Sequence, residues 1–344
     1  MDDLFSPDRV ASVDRGLVHK AYEAWPRLAQ SGFAVKVDLK RRGFKKAFFM
    51  GMGGSAAGGD IVASWLSARH EFETATFKGQ LPIGDMSDAL AVACSSSGQT
   101  EETIEMLEEA VKRGATSVAV SSGGKLMDLA KRLKVPQVKM PEVIAPRYAL
   151  PFIIFSCLSV INEGLELDCQ REAEDAIHEM NTEGREIGVD VPTAVNASKS
   201  LARLIIDKTP VIYGARPTRG AGIRFKNMMN ENAKRHAIFD GLPDAFHNEI
   251  EAWEDPTSDY LPIFLRHSTE SVRDSQRADV MVKILSEMKM KPAQISGRGN
   301  TSLAQLTTMV YRLDVASYFT AIGTGRDPLP TRLMDWIKER GKPR

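Results

Sequence analysis

The apolar positions of this chain alternate between short unbroken runs and stretches in which they recur every three or four residues. Ala47–Met50, Ala89–Ala93 and Ser117–Val120 are runs of the first kind, and a shorter one covers Val138–Met140. Runs of this length read as strands buried on both faces. Between them Ile61, Val62 and Leu66, and then Ile104, Leu107 and Val111, recur at helical spacing. The pattern restarts in the second half with strands at Val211–Tyr213 and Leu261–Leu265, a helix over Ala278–Met288, a strand near Gln294–Ser296 and a long helix from Leu303 to about Ile322. Strands alternating with helices predict an α/β chain whose parallel sheets carry helices on both faces. Leu165–Ser198, rich in Asp and Glu with apolar residues at helical intervals, predicts a helical cover joining the two halves. Three units are therefore expected: 1–165, a connection over 166–200, and 201–344.

Two turns in the first half carry polar chemistry. After the strand at Ala89–Ala93 comes Cys94-Ser95-Ser96-Ser97-Gly98-Gln99-Thr100, running directly into a helix. The first N–H groups of a helix lack intrahelical partners and lie at the positive end of its dipole. Hydroxyls from Ser95, Ser97 and Thr100 would complete a shell around the oxygens of a dianion. The plainer alternative is that Ser97 or Thr100 only caps the helix. The second turn, Gly51-Met52-Gly53-Gly54-Ser55-Ala56, also leads from a strand into a helix. It is not a Walker A loop, because no Gly-Lys-Ser/Thr follows. Gly51, Gly53 and Ala56 do approximate GxGxxG/A, with Glu71 about twenty residues on, which keeps an NAD-dependent enzyme as a rival reading.

Composition narrows the function classes. The 344 residues are 43% apolar and 26% charged, which is ordinary for a globular protein. Lys plus Arg balance Asp plus Glu at 45 each, so no basic footprint for nucleic acid or anionic membrane is visible. The acidic start, MDDLFSPDRV, is no secretory signal. Pro151–Ile161 is too short to span a bilayer and fits a buried helix. Three cysteines, an odd number without metal spacing, argue against a disulfide framework. No histidine pair has a metal-binding spacing, so neither metal nor cofactor is expected, and the cytosol is the expected compartment.

The second half offers a different constellation. On a helix predicted from about Ile223 to His236, Phe225, Met228, Met229 and Asn232 share one face. Arg224, Asn227, Glu231 and Lys234 share another, which by itself reads as a solvated, salt-bridged surface. His247 follows a Gly-Leu-Pro-Asp turn in Phe246-His247-Asn248-Glu249. A lone histidine there is more often a cap than a catalyst.

Taken together, Gly51-Met52-Gly53-Gly54-Ser55 and Ser95-Ser96-Ser97-Gly98-Gln99-Thr100-Glu101-Glu102-Thr103 resemble the two phosphate loops of the sugar isomerase (SIS) domain, which implies a flavodoxin-like sheet. Asn230-Glu231-Asn232-Ala233-Lys234 followed by His247-Asn248-Glu249, with Pro146-Arg147 and the closing Lys338, resembles one subgroup, the bifunctional phosphoglucose/phosphomannose isomerases. Lys342 is a weaker candidate for the closing lysine. The chain departs from that pattern in longer connections, notably over 165–191 and 266–278.

The resemblance implies two SIS domains and an aldose–ketose isomerase that interconverts glucose 6-phosphate and mannose 6-phosphate with fructose 6-phosphate. It implies a phosphate site at Gly53, Gly54, Ser55, Ser95, Ser97 and Thr100, with Glu231 as the enediol base. His247 and Lys338 would serve ring opening and the substrate hydroxyls, and Arg147 the intermediate. It further implies a homodimer in which His247 completes the partner's site. A sugar-phosphate sensor would keep the loops but have no use for the Glu231/His247 pair.

Overall fold

The computed structural model describes residues 2–69, 71–255 and 259–340. Three short helices open the chain: α1 (Pro7–Val13), α2 (Val18–Glu23) and α3 (Trp25–Phe33). The first sheet then builds from β1 (Lys46–Gly51), α4 (Gly53–Leu66), β2 (Glu73–Phe77), β3 (Ala89–Ser95), α5 (Glu101–Lys112), β4 (Thr116–Ser121), α6 (Gly124–Arg132) and β5 (Gln137–Lys139). All five strands are parallel, in the order β2-β1-β3-β4-β5, the flavodoxin-like arrangement. Residues Ala89–Ser95 are buried throughout, as a central parallel strand covered on both faces must be. The order of this sheet puts the ligand-binding crevice at the carboxyl ends of β1 and β3.

Helices α7 (Leu150–Gly164), α8 (Gln170–Glu186) and α9 (Ala197–Ile205) lead to the second sheet. It comprises β6 (Thr209–Gly214), α10 (Arg219–Glu231), β7 (Ile238–Gly241), α11 (Leu242–Ala245), β8 (Tyr260–Arg266), α12 (Val272–Glu287) and β9 (Ala293–Ser296). Its four strands are again parallel, in the order β7-β6-β8-β9. The chain closes with α13 (Ser302–Gly323) and α14 (Arg332–Arg340). One apolar core runs from the first sheet through α7 and α13 to the second. No helix among the described residues is long and apolar enough to cross a membrane.

The edge strands β2 and β7, which have weak apolar patterns, and the short helices α1–α3 differ from expectation in being present at all. The opening helices strap α13: Trp25 stacks on Tyr311 at 4.9 Å, the Tyr311 hydroxyl donates to the Tyr22 carbonyl at 2.6 Å, and the Tyr318 hydroxyl donates to Asp14 at 2.9 Å. Helix α10 also differs from expectation, covering Arg219–Glu231 rather than Ile223–His236. It ends early because the Arg235 N–H turns back to the Met229 carbonyl at 3.1 Å, with Lys234 left-handed at φ +56°.

Helices α4 and α10 pack against each other in opposite directions. Gly220, at the start of α10, meets Asp60 and Ile61 late in α4, and its N–H donates to the Ser64 hydroxyl at 2.9 Å. The end of α10 therefore reaches the beginning of α4. This antiparallel packing brings Glu231 to the carboxyl end of the first sheet.

Candidate active site

The two loops of the first sheet are tied together before any ligand is considered. The Ser96 N–H donates to the Ser55 hydroxyl at 3.1 Å, joining the loop after β3 to the start of α4. Ser95, 1% exposed, braces its own loop by accepting the Gly98 N–H at 3.2 Å and contacting the Thr100 hydroxyl at 3.0 Å. Gly98 is obligatory twice over: it has φ +65°, and a Cβ there would lie 1.7 Å from the Gly123 carbonyl. Ser97 is exposed at the tip of the loop and accepts the Gln99 N–H at 3.2 Å.

The capping alternative fails on this geometry. Thr100 occupies the N-cap position of α5, yet neither its hydroxyl nor that of Ser97 caps the helix, and α4 begins at Gly53 likewise without a side-chain cap. The first N–H groups of both helices thus keep their capacity for an anion. The dinucleotide fingerprint fails too. It needs an acidic residue at the carboxyl end of the second strand, and Glu71 precedes the amino end of β2.

Arg147 links these loops to the second half. A Cβ on Gly54 would meet the Arg147 Cα at 3.3 Å, so glycine lets the arginine backbone lie directly on the start of α4. The Arg147 guanidinium is 5% exposed and is held from three sides. Its Nε donates to Asn232 at 3.2 Å, and Nη2 donates to the Pro328 and Leu329 carbonyls at 2.9 and 2.6 Å. Its Nη1 stands 3.8 Å from the Glu231 carboxylate, whose side chain is 22% exposed.

Beneath this pair lies a buried polar network. Arg224 grips Asp314 through three contacts of 3.1, 3.1 and 2.6 Å, with side chains 1% and 0% exposed, and donates to the Arg147 carbonyl at 2.8 Å. Burial pushes the Asp314 carboxyl up to about 6 against the pull of Arg224, so it is ionised at neutral pH. Asn232 uses its full hydrogen-bonding capacity. Its oxygen accepts from Arg147 and from the Tyr148 hydroxyl (3.1 Å), and its amide donates to the hydroxyls of Tyr22 (2.8 Å) and Ser317 (2.9 Å). The surface expected for Arg224 is therefore corrected: that face of α10 is covered by α13, and the charge is buried and paired. A polar Asn232 on an otherwise apolar face was the signal that such a network existed.

His247 is not brought to Glu231 of its own chain. The crossover of a parallel unit leaves Glu231 at the amino end of the second sheet, and β7 then carries the chain to the carboxyl end before His247. Four residues of strand span about 13 Å. His247 is exposed, with its ring against Phe246 at 6.2 Å. The backbone of Lys338 belongs to α14, but its side chain, and all of Lys342, lie outside the described residues.

A cavity of about 860 Å³ opens beside Glu231, lined by the end of α10, the segment 325–331 and the first turn of α14. A larger cleft of about 1020 Å³, between residues 30–38 and α8, has neither Glu231 nor any residue of the two loops in its lining; the smaller cavity is lined by Glu231, though by no residue of either loop.

Comparison with known proteins fits this geometry. Residues 194–340 match the family described as the bacterial phospho-glucose isomerase C-terminal SIS domain. A bifunctional phosphoglucose/phosphomannose isomerase of Aquifex aeolicus is 31% identical over 304 residues, covering 87% of this chain and 91% of that protein. A D-glucosamine-6-phosphate 4-epimerase of Sulfolobus acidocaldarius is 28% identical over 247 residues, covering 71% and 76%. In fold, a glucose-6-phosphate isomerase-like protein of Thermus thermophilus superposes with a TM-score of 0.61 over 98% of this chain and 99% of that one, at 18% identity.

Proposed function

Because this chain belongs to the bifunctional phosphoglucose/phosphomannose isomerase family, we propose that it uses Glu231 to carry a proton between C2 and C1 of a hexose 6-phosphate. It is a sugar-phosphate isomerase. The substrates in this reading are glucose 6-phosphate and mannose 6-phosphate, exchanged with fructose 6-phosphate through a cis-enediol. In this reading the enzyme works in the cytosol, in glycolysis and gluconeogenesis.

The observation that carries the reading is the contact of Arg147 with Glu231, made against the backbone of the phosphate loop at Gly54. A sugar held by its 6-phosphate on Ser55, Ser97, Thr100 and the N–H groups of Gly53 and Gly54 extends toward that pair. Ser95 keeps the loop in shape from beneath. Glu231, free of any short hydrogen bond to its carboxylate among the described residues, takes the C2 proton and returns it at C1. Arg147 lies where negative charge develops on the enediolate, and its three anchors remove the need to reorganise during the reaction. A carboxylate that reaches either face of the enediolate serves both glucose and mannose epimers.

Ring opening needs a group that exchanges a proton near neutrality, the natural task of an imidazole. His247 of one chain faces the wrong end of its own second sheet. In this reading it completes the site of a partner chain, so the homodimer is obligatory, and Lys338 assists at the substrate hydroxyls.

The test is Glu231→Gln, assayed with each 6-phosphate. Turnover should fall by roughly a hundredfold or more, while a phosphorylated sugar acid binds within a few-fold of wild type. Retention of most activity would end the assignment. The epimerase relative motivates a second assay: turnover of glucosamine 6-phosphate at the 4-position, above turnover of glucose 6-phosphate, would replace the substrate reading but not the fold.

A further inference from the structure

Glu231 moves the carbon-bound proton, but an aldose–ketose exchange must also move a proton from O2 to O1. We propose that Lys234 is a further catalytic residue that performs this oxygen-to-oxygen transfer. The inference rests on the isomerase reading above. In the forward direction Glu231 removes the proton at C2, C1=C2 forms, and the carbonyl electrons pass to O1, which takes a proton from the Lys234 ammonium. The neutral amine then takes the proton of O2–H. As C2=O forms, the C1=C2 pair takes the proton from Glu231 at C1, and both residues regain their starting states.

The geometry that supports this lies at the end of α10. The Lys234 Nζ donates to the Glu231 carbonyl and, at 3.3 Å, to the carbonyl of Pro328, the same oxygen that accepts from Arg147 at 2.9 Å. Two cations thus converge on one oxygen beside the base, and Lys234 lines the cavity into which Glu231 opens. Lys134 and Lys289 are also left-handed after their helices, so the backbone conformation alone is no signal. What distinguishes Lys234 is what its amine meets.

A proton shuttle must also exchange near neutrality. Burial, then the adjacent Arg147 and Arg326, push this amine down to about 8, with Asp327 and Glu231 opposing. The other ionisable groups around the same cavity are Lys226, Arg235 and His236 near the end of α10, and Arg332 on α14. The surroundings are cationic on balance, which favours the neutral amine. An ordinary surface lysine, at ~10.4, would release its proton too reluctantly for the second half of the cycle.

Two substitutions separate this role from charge or packing. Lys234→Arg keeps the cation but cannot release its proton at working pH. Lys234→Gly removes the amine at a position where glycine adopts the left-handed conformation freely, so the variant should melt no lower than wild type. Initial rates with fructose 6-phosphate would be followed from pH 6 to 9.5. We expect kcat to fall by about a hundredfold or more in both variants, with KM within a few-fold. The wild type should show an alkaline limb with an apparent pKa near 8, which both variants lack. Activity of Lys234→Arg within about threefold of wild type, or a flat wild-type profile, would overturn the proposal. Glu231→Gln assayed alongside distinguishes the failures: full activity there removes the base reading and this proposal with it. Loss there beside an active Lys234→Arg removes only the lysine.

Discussion

Replacing Arg224 by methionine strips Asp314 of its counter-ion, and the size of the loss follows from where the pair lies. Both side chains are essentially inaccessible, and the carboxylate has no hydrogen-bond partner other than Arg224 among the described residues. Removing one member of such a pair costs roughly 3–5 kcal/mol, because an uncompensated buried charge remains. Against a typical stability of about 5–15 kcal/mol this is a large fraction. The carboxyl is already pushed up to about 6 with Arg224 in place. Without it, protonation becomes the escape from burial. The folded value then lies above the unfolded one, near ~3.9, so the group's stabilising contribution is complete below ~3.9 and is lost as pH rises through the folded value. The variant's deficit relative to wild type should therefore be smaller at pH 5 than at pH 8.

The double variant Arg224→Met with Asp314→Leu removes both charges and should recover most of the stability. About 1–3 kcal/mol should stay missing, because the Arg147 carbonyl loses its buried donor at 2.8 Å. If Arg147 acts as proposed, activity should not recover with stability, since Arg147 loses a support and small misplacements of a catalytic group cost up to ~100-fold. Urea titrations at the two pH values, with a coupled isomerase assay on the same samples, measure both quantities. A single variant within about 1 kcal/mol of wild type at pH 8 would refute the buried-charge reasoning. Joint recovery of stability and activity would refute the claim that Arg224 positions Arg147.

The proposed phosphate loop and the proposed sharing of the site between two chains make further predictions. Ser97→Ala and Thr100→Ala should raise KM more than they lower kcat, each lost charge-assisted hydrogen bond being worth about 1.5–3 kcal/mol; unphosphorylated glucose turned over as well as its 6-phosphate would show that these loops hold no anion. Mixing inactive Glu231→Gln and His247→Ala chains should restore one of the two sites in each mixed dimer, because one site then inherits both lesions and the other neither. No recovery after subunit exchange verified by mass spectrometry would mean that His247 serves its own chain or none.

Residue order along the chain was enough to read the central strands, the long helices and the two polar turns that lead from β1 and β3 into helices. Those features depend on local order: a short unbroken apolar run such as Ala89–Ala93, bounded by a hydroxyl-rich turn, reads as a covered strand, and the turn itself runs directly into a helix. Residue order also set the spacing from Glu231 to His247, but not its meaning. A crossover helix followed by one strand sends the two residues to opposite ends of a sheet, and only the parallel pairing of β6 with β7 reveals that. One edge of each sheet stayed hidden, because β2 and β7 bury too little for a clear pattern. Tertiary structure alone decided the polar interior. Arg224 and Glu231 share a charged face in sequence. Packing of α10 on α13 buries the first against Asp314 and leaves the second open to the cavity. Burial of that kind depends on what lies across the gap, which no local pattern records. The same packing brings Arg147, more than eighty residues from Glu231, to within 3.8 Å of it.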